Sequence, residues 1–131
     1  MSDFDALVEA ARSVRQHAIA TYSSFKVGAA LLTKSDRIIR GCNVENASYG
    51  LTMCAERVAI FKALSDGERD FTAIAVVADT DAPTPPCGAC RQLLWEFCGD
   101  IPVVLANLRQ ITGRHQMKDL LPLPFDGRLL K

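Results

Sequence analysis

No run of apolar residues in this sequence is long enough to span a bilayer as a helix. An excess of one charge is missing too: 15 Lys and Arg stand against 15 Asp and Glu, without a Lys/Arg cluster. A protein that holds a nucleic-acid backbone needs several cations against its phosphates, so this balance favours a small neutral substrate over a polymer. No Gly-rich phosphate loop is evident. Internal repeats, low-complexity segments and linkers are lacking, so residues 1–131 are expected to form a single domain. The opening residues Met1-Ser2-Asp3-Phe4-Asp5 show no basic stretch leading into an apolar one, which fits a cytoplasmic protein. What is there suits an ordered globule: 49% of the residues are hydrophobic and 23% charged.

Five cysteines is an odd count, and three of them fall in two short blocks. Thr52 to Arg57 reads Thr-Met-Cys-Ala-Glu-Arg, and Pro85 to Arg91 reads Pro-Pro-Cys-Gly-Ala-Cys-Arg. Each block looks like the start of a helix. Val58, Phe61 and Leu64 recur at helical spacing after Cys54, and Leu93, Leu94 and Phe97 after Cys90. Thiolates at helix N-termini meet the positive end of the macrodipole, which favours metal binding. Cys54, Cys87 and Cys90 can converge on one ion. Three thiolates with one open position is the ligand count of a catalytic zinc, whereas a structural zinc closes with a fourth protein ligand. Glu56, two residues after Cys54, can move protons at a water in that position. Cys42 and Cys98 read as small buried hydrophobes, and a reduced cytosolic setting suits all five. His17 and His115 lie far from the blocks and read as ordinary histidines.

The remaining chain alternates helical and strand patterns. Residues 3–20 read as an amphipathic helix with Ala6, Leu7, Ala10, Val14 and Ala18 on its stripe, capped by Ser2 or Asp3. A strand over 25–33, a hairpin turn at 34–36 and a return strand over 37–42 follow. Residues 43–51 form a long irregular stretch into the first cysteine block. Gly67 ends the first zinc helix. Residues 71–78 are a near-continuous apolar run, as in a strand buried on both faces. A helix over 88–98, strands over 102–107 and 110–116, a helical turn over 117–121 and a tail complete the chain. This order predicts an α/β fold: a three-layer α/β/α sandwich on a mixed sheet.

Cys-x-Glu followed by Pro-Cys-x-x-Cys resembles the zinc-dependent nucleobase deaminases in their three-cysteine form. Thr21-Tyr22-Ser23-Ser24-Phe25-Lys26-Val27-Gly28-Ala29-Ala30, Gly41-Cys42-Asn43-Val44-Glu45-Asn46-Ala47-Ser48-Tyr49 and Leu120-Leu121-Pro122-x-x-Phe125 extend the likeness. These blocks are similar to the small homotetrameric cytidine deaminases, over nearly the whole chain. The resemblance implies a mixed five-stranded sheet with the two zinc helices side by side and one Zn2+ per chain. It implies hydrolytic deamination of cytidine and 2′-deoxycytidine in pyrimidine salvage. Zinc-bound hydroxide would attack C4 while Glu56 serves as the proton carrier. It also implies that Arg57 hydrogen-bonds the ligand thiolates and that Asn43 and Glu45 hold the ribose 3′-hydroxyl. Phe25 and Ala55 would complete the substrate contacts, with Tyr49 and Phe125 reaching a neighbouring subunit's site in a homotetramer. Arg91 is left as a surface charge or a second support.

Three rivals remain. A noncatalytic zinc module would need a fourth protein ligand from Cys42, Cys98, His17 or His115, none with supporting spacing. A nucleic-acid-editing deaminase sits poorly with the charge and size. A deaminase of an antibiotic such as blasticidin S sits poorly with Asn43 and Glu45 in a nucleoside-like loop.

Overall fold

The computed structural model describes residues 4–130. Five strands form one sheet in the order β2-β1-β3-β4-β5: β1 Val27–Thr33, β2 Ile38–Cys42, β3 Phe71–Ala78, β4 Pro102–Ala106 and β5 Ile111–Gln116. The β1–β2 hairpin turns at Asp36, whose φ of 66° lies in the left-handed region that Asp tolerates better than most residues. Strand β1 pairs antiparallel with β3, β3 pairs parallel with β4, and β4 pairs antiparallel with β5. The parallel pair requires a crossover, which is helix α3, Gly88–Cys98. The sheet is mixed, as the element order predicts. Asn107 organises the β4–β5 turn, its Oδ1 accepting the backbone N–H groups of Arg109 and Gln110, both at 2.8 Å.

Helices cover both faces. Helix α1, Asp5–Arg15, packs Leu7, Val8 and Ala11 on Ala30, Ala73, Ala75, Val77, Val104 and Ala106. Helix α2, Ala55–Ser65, and helix α3 lie on the opposite face, over Ala29, Leu31, Ile74, Val76, Val103 and Leu105. Alternate residues of β3 therefore feed two cores, which explains its unbroken apolar run. Full burial of side chains such as Leu7 and Leu94 stabilises the fold by about 1.5–3 kcal/mol each.

The first helix is shorter than its sequence pattern suggests. It ends at Arg15, and Ile19 instead makes a parallel bridge to Val44, so the chain leaves the helix to border the cysteine loops. Its buried stripe is Leu7, Val8, Ala11 and Val14, while Ala6 is exposed. The expected Ser2 or Asp3 cap lies outside the described residues. Helix α2 also turns a different face inward. Ala55, Ala59, Ile60 and Ala63 are buried, and Phe61 is 41% exposed. Small side chains line the inner face because the helix comes very close to the sheet. A Cβ built on Gly41 would stand 2.5 Å from the Ala59 nitrogen and 2.6 Å from the Ala55 oxygen. Gly67 ends this helix at φ 91°, with the Glu68 N–H returning to the Ala63 carbonyl at 3.0 Å.

Beyond β5, a single helical turn α4, Met117–Leu120, buries Met117. The tail then folds back on α3 instead of trailing into solvent. Trp95 Nε1 donates to Asp126 Oδ2 at 2.8 Å, and Gln92 Nε2 donates to the Phe125 carbonyl at 2.6 Å. Among the described residues, no helix is long and apolar enough to cross a membrane.

Candidate metal centre and substrate cavity

Cys54 is the N-cap residue of α2 and Cys87 the N-cap residue of α3. Neither side chain bonds an amide of its own helix, so both thiols remain available to a ligand. Cys90 lies on the first turn of α3 and is fully buried. The three sulfurs lie within 4.8 Å of one another, and among the described residues no other Cys, His, Asp or Glu joins the cluster. Three soft donors drawn from two adjacent helix starts fit zinc with an open fourth position. The blocks that look separate in sequence thus meet in space.

The sulfurs differ in their electrostatic surroundings. The Cys54 thiol is held below its ordinary value, first by hydrogen bonding with Cys90 and then by Arg57. Cys90 is pushed the other way, by the same Cys54 contact and by burial. Arg57 Nη2 donates to Cys54 Sγ at 3.4 Å. Arg57 Nε is buried without a partner, so the guanidinium has a further donor beside the sulfurs.

Glu56 is 5% exposed. Burial raises the pKa of its carboxyl above the ordinary range, and the Cys54 charge adds to the effect. Glu56 forms part of the wall of a cavity of ≈ 200 Å³, together with Cys54 and Cys87, Ala55, Phe25 and Asn43. Val27, Thr52, Met53, Val76, Thr84 and Pro85 complete the lining. Pro85, in the loop between β3 and α3, thus shares the wall with the sulfurs.

Asn43 is buried and does structural work in the cavity wall. Its Oδ1 accepts the Val27 N–H at 2.8 Å and its Nδ2 donates to the Phe25 carbonyl at 2.8 Å. One Nδ2 hydrogen and one Oδ1 lone pair remain beyond these bonds. Glu45 and Tyr49 line a neighbouring cavity of ≈ 360 Å³ with Tyr22 and Ser23, and Thr52 borders both spaces. Glu45 Oε1 accepts the N–H groups of Tyr22 at 2.9 Å and Ser23 at 3.0 Å, while Oε2 accepts the Ser23 hydroxyl. These bonds, led by the Ser23 hydroxyl, lower the Glu45 pKa. Tyr22 and Tyr49 meet edge to face with centroids 6.0 Å apart. Phe125 lies in the wall of neither cavity and is 58% exposed on the segment bound to α3.

Arg91 is not a plain surface charge. Its Nε donates to the Pro86 carbonyl at 2.7 Å and its Nη1 to the Leu120 carbonyl at 2.9 Å. Backbone carbonyls carry no sequence signature, so spacing alone does not reveal this clamp.

The model of the cytidine and deoxycytidylate deaminase zinc-binding region matches residues 1–106. A cytidine deaminase of Halalkalibacterium halodurans is 54% identical over 124 residues, covering 94% of each chain. One from Sporosarcina psychrophila is 50% identical over 124 residues, covering 94% of this chain and 91% of its own. The crystal structure of a cytidine deaminase from Burkholderia pseudomallei superposes with a TM-score of 0.90 at 51% identity, over 95% of this chain and 100% of that one. With the sulfur cluster and the mixed five-stranded sheet already in view, the chain belongs to the cytidine and deoxycytidylate deaminase family.

Proposed function

We propose that this chain, as one catalytic domain over residues 1–131, deaminates cytidine and 2′-deoxycytidine hydrolytically. The observation that carries the reading is the cluster of three sulfurs beside a buried carboxyl on the wall of one cavity. Cys54, Cys87 and Cys90 would hold one Zn2+, which supplies a low-pKa water as nucleophile near neutral pH.

Glu56 carries the protons. In the overall reaction water adds at C4, the C4–N4 bond breaks, and ammonia leaves a uracil ring. Glu56 accepts a proton from the water, delivers one to ring N3 and passes one to the departing amine. Its buried place in the cavity wall beside the sulfurs suits a group that must both take and give protons. Arg57 offsets the negative charge of the thiolates through Cys54 Sγ. Phe25 and Ala55 border the space for base and sugar, and the spare hydrogen-bonding capacity of Asn43 suits a sugar hydroxyl. Glu45, anchored as an ionised acceptor, suits the 3′-hydroxyl where the two cavities meet. Among the described residues no Lys or Arg lines either cavity, which favours a nucleoside over a nucleotide.

The chain works as a cytoplasmic homotetramer in pyrimidine salvage, with Tyr49 and Phe125 completing neighbouring sites. Their exposure, 75% and 58%, supports this, as does that of Leu51 and Phe61 at 67% and 41%. The lack of a fourth protein ligand among the described residues weighs against a purely structural zinc module.

An ultraviolet assay with cytidine, deoxycytidine, CMP and blasticidin S tests the reading. Turnover of the first two with ammonia release is expected, and turnover of CMP or blasticidin S in their place would replace it. Mixing inactive Glu56→Ala subunits with Phe125→Ala subunits tests the shared site. Hybrid tetramers should recover activity if Phe125 acts across the interface, and no recovery would confine Phe125 to its own subunit.

A further inference from the structure

Two of the three sulfurs sit at the start of helix α3, ahead of the residues Leu93, Leu94 and Cys98 that pack on the sheet. Helix α3 buries only Cys90 and Leu94 among its residues, and Cys87 at its start is exposed. The chain entering it runs through Pro85 and Pro86. Proline offers no N–H, so this entry has fewer backbone donors with which to bond its surroundings. Pro86 is buried, and a side chain adds a directed grip on its carbonyl. Arg91 lies one turn into α3 and its guanidinium spans two carbonyls: Pro86, directly before Cys87, and Leu120, at the end of α4. Both bonds come from one planar fork, so the position of Pro86 is referred to α4. Helix α4 is itself fixed: Met117 is fully buried and its N–H bonds the Ile101 carbonyl at 3.1 Å.

The geometry points to Arg91 as a positioning residue for the second ligand pair, holding Cys87 at the spacing from Cys54 and Cys90 that a metal needs. The inference rests on the metal reading above and deepens it. Arg91 touches neither a substrate nor a sulfur in this account. It acts through the Pro86 carbonyl. Loss of the fork frees the Pro86–Cys87 hinge, so Cys87 leaves the ion more often and zinc escapes faster. Loss of the fork removes two part-buried hydrogen bonds, so zinc release is read against a control that lowers stability elsewhere.

The test is the rate at which zinc passes from the purified, zinc-loaded protein to a chromogenic chelator, well below the melting temperature. Arg91→Gln should release zinc about 10- to 100-fold faster than the wild type, the usual cost of removing an outer support of a metal ligand. Arg91→Lys, which reaches one carbonyl at a time, should fall between. Val104→Ala serves as the control, because it loosens the fully buried α1-side core without touching the hinge. Arg91→Gln releasing zinc no faster than Val104→Ala would overturn the assignment. If Arg91→Gln does not accumulate as folded protein, Arg91→Lys decides alone, and a wild-type release rate overturns it. A wild-type protein that carries no zinc overturns the metal reading and this inference together. Loaded wild type with an unchanged Arg91→Gln overturns only the inference.

Discussion

Helix α2 reaches the sheet through alanine and glycine, close enough that a Cβ on Gly41 would overlap its backbone. Helix α3, offering the same chemistry at its start, seats Leu94 in the core but holds its cysteine end through the two Arg91 hydrogen bonds. The first anchor is close packing and the second is a pair of directed hydrogen bonds. Packing tolerates almost no change in volume, whereas a hydrogen-bonded support can lose a member and exchange it for water. The helix that carries Glu56 is therefore the rigid one. The helix that carries two sulfurs is the adjustable one.

That contrast orders the outcomes of mutation. The largest effect belongs to the rigid side. Glu56→Gln should lower kcat about 10²- to 10⁴-fold while the metal content stays at one zinc per chain, read by steady-state kinetics and metal analysis. Next, Gly41→Ala should push α2 away from the sheet and destabilise the protein by about 1–3 kcal/mol, measured by urea unfolding. An unchanged midpoint would show that α2 has slack, and the contrast between the helices would fail. On the adjustable side, Trp95→Phe removes one tail bond. It should leave zinc content close to wild type while hydrogen exchange of the 125–130 segment speeds up.

The smallest effect concerns the Glu45 anchor. Its pKa is lowered in the folded state, so the stability it contributes is complete above the ordinary carboxylate range. That contribution disappears as pH falls through the lowered value. Glu45→Gln should therefore melt below the wild type near neutral pH, and the two melting curves should converge in acid. A gap that persists in acid would assign the anchor to packing instead of charge.

The same contrast explains what could be read from the chain alone. Cys54, Glu56, Cys87 and Cys90 were legible because metal chemistry restricts both residue type and spacing. The α3 boundaries, Gly88 to Cys98, follow from a proline stop and Gly99, whose φ is 74°. The inner face of α2 was not legible. Val58, Phe61 and Leu64 carry the apolar signal, yet the helix turns its alanines to the sheet because only small side chains fit over Gly41. Of the large residues, Ile60 is buried, Leu64 packs at the edge of the core, and Val58 and Phe61 are left half-exposed or exposed. The Arg91 clamp and the docked tail escaped for another reason: many of their acceptors are main-chain carbonyls that every sequence possesses.

Trp95 is the lone indole in the chain, and its ring nitrogen is the group that grips the returning C-terminal segment. The protein thus carries a built-in optical probe at the tail latch. A shift in its emission would register release of that latch, with no dye attached and no other fluorophore of its kind to confuse the signal.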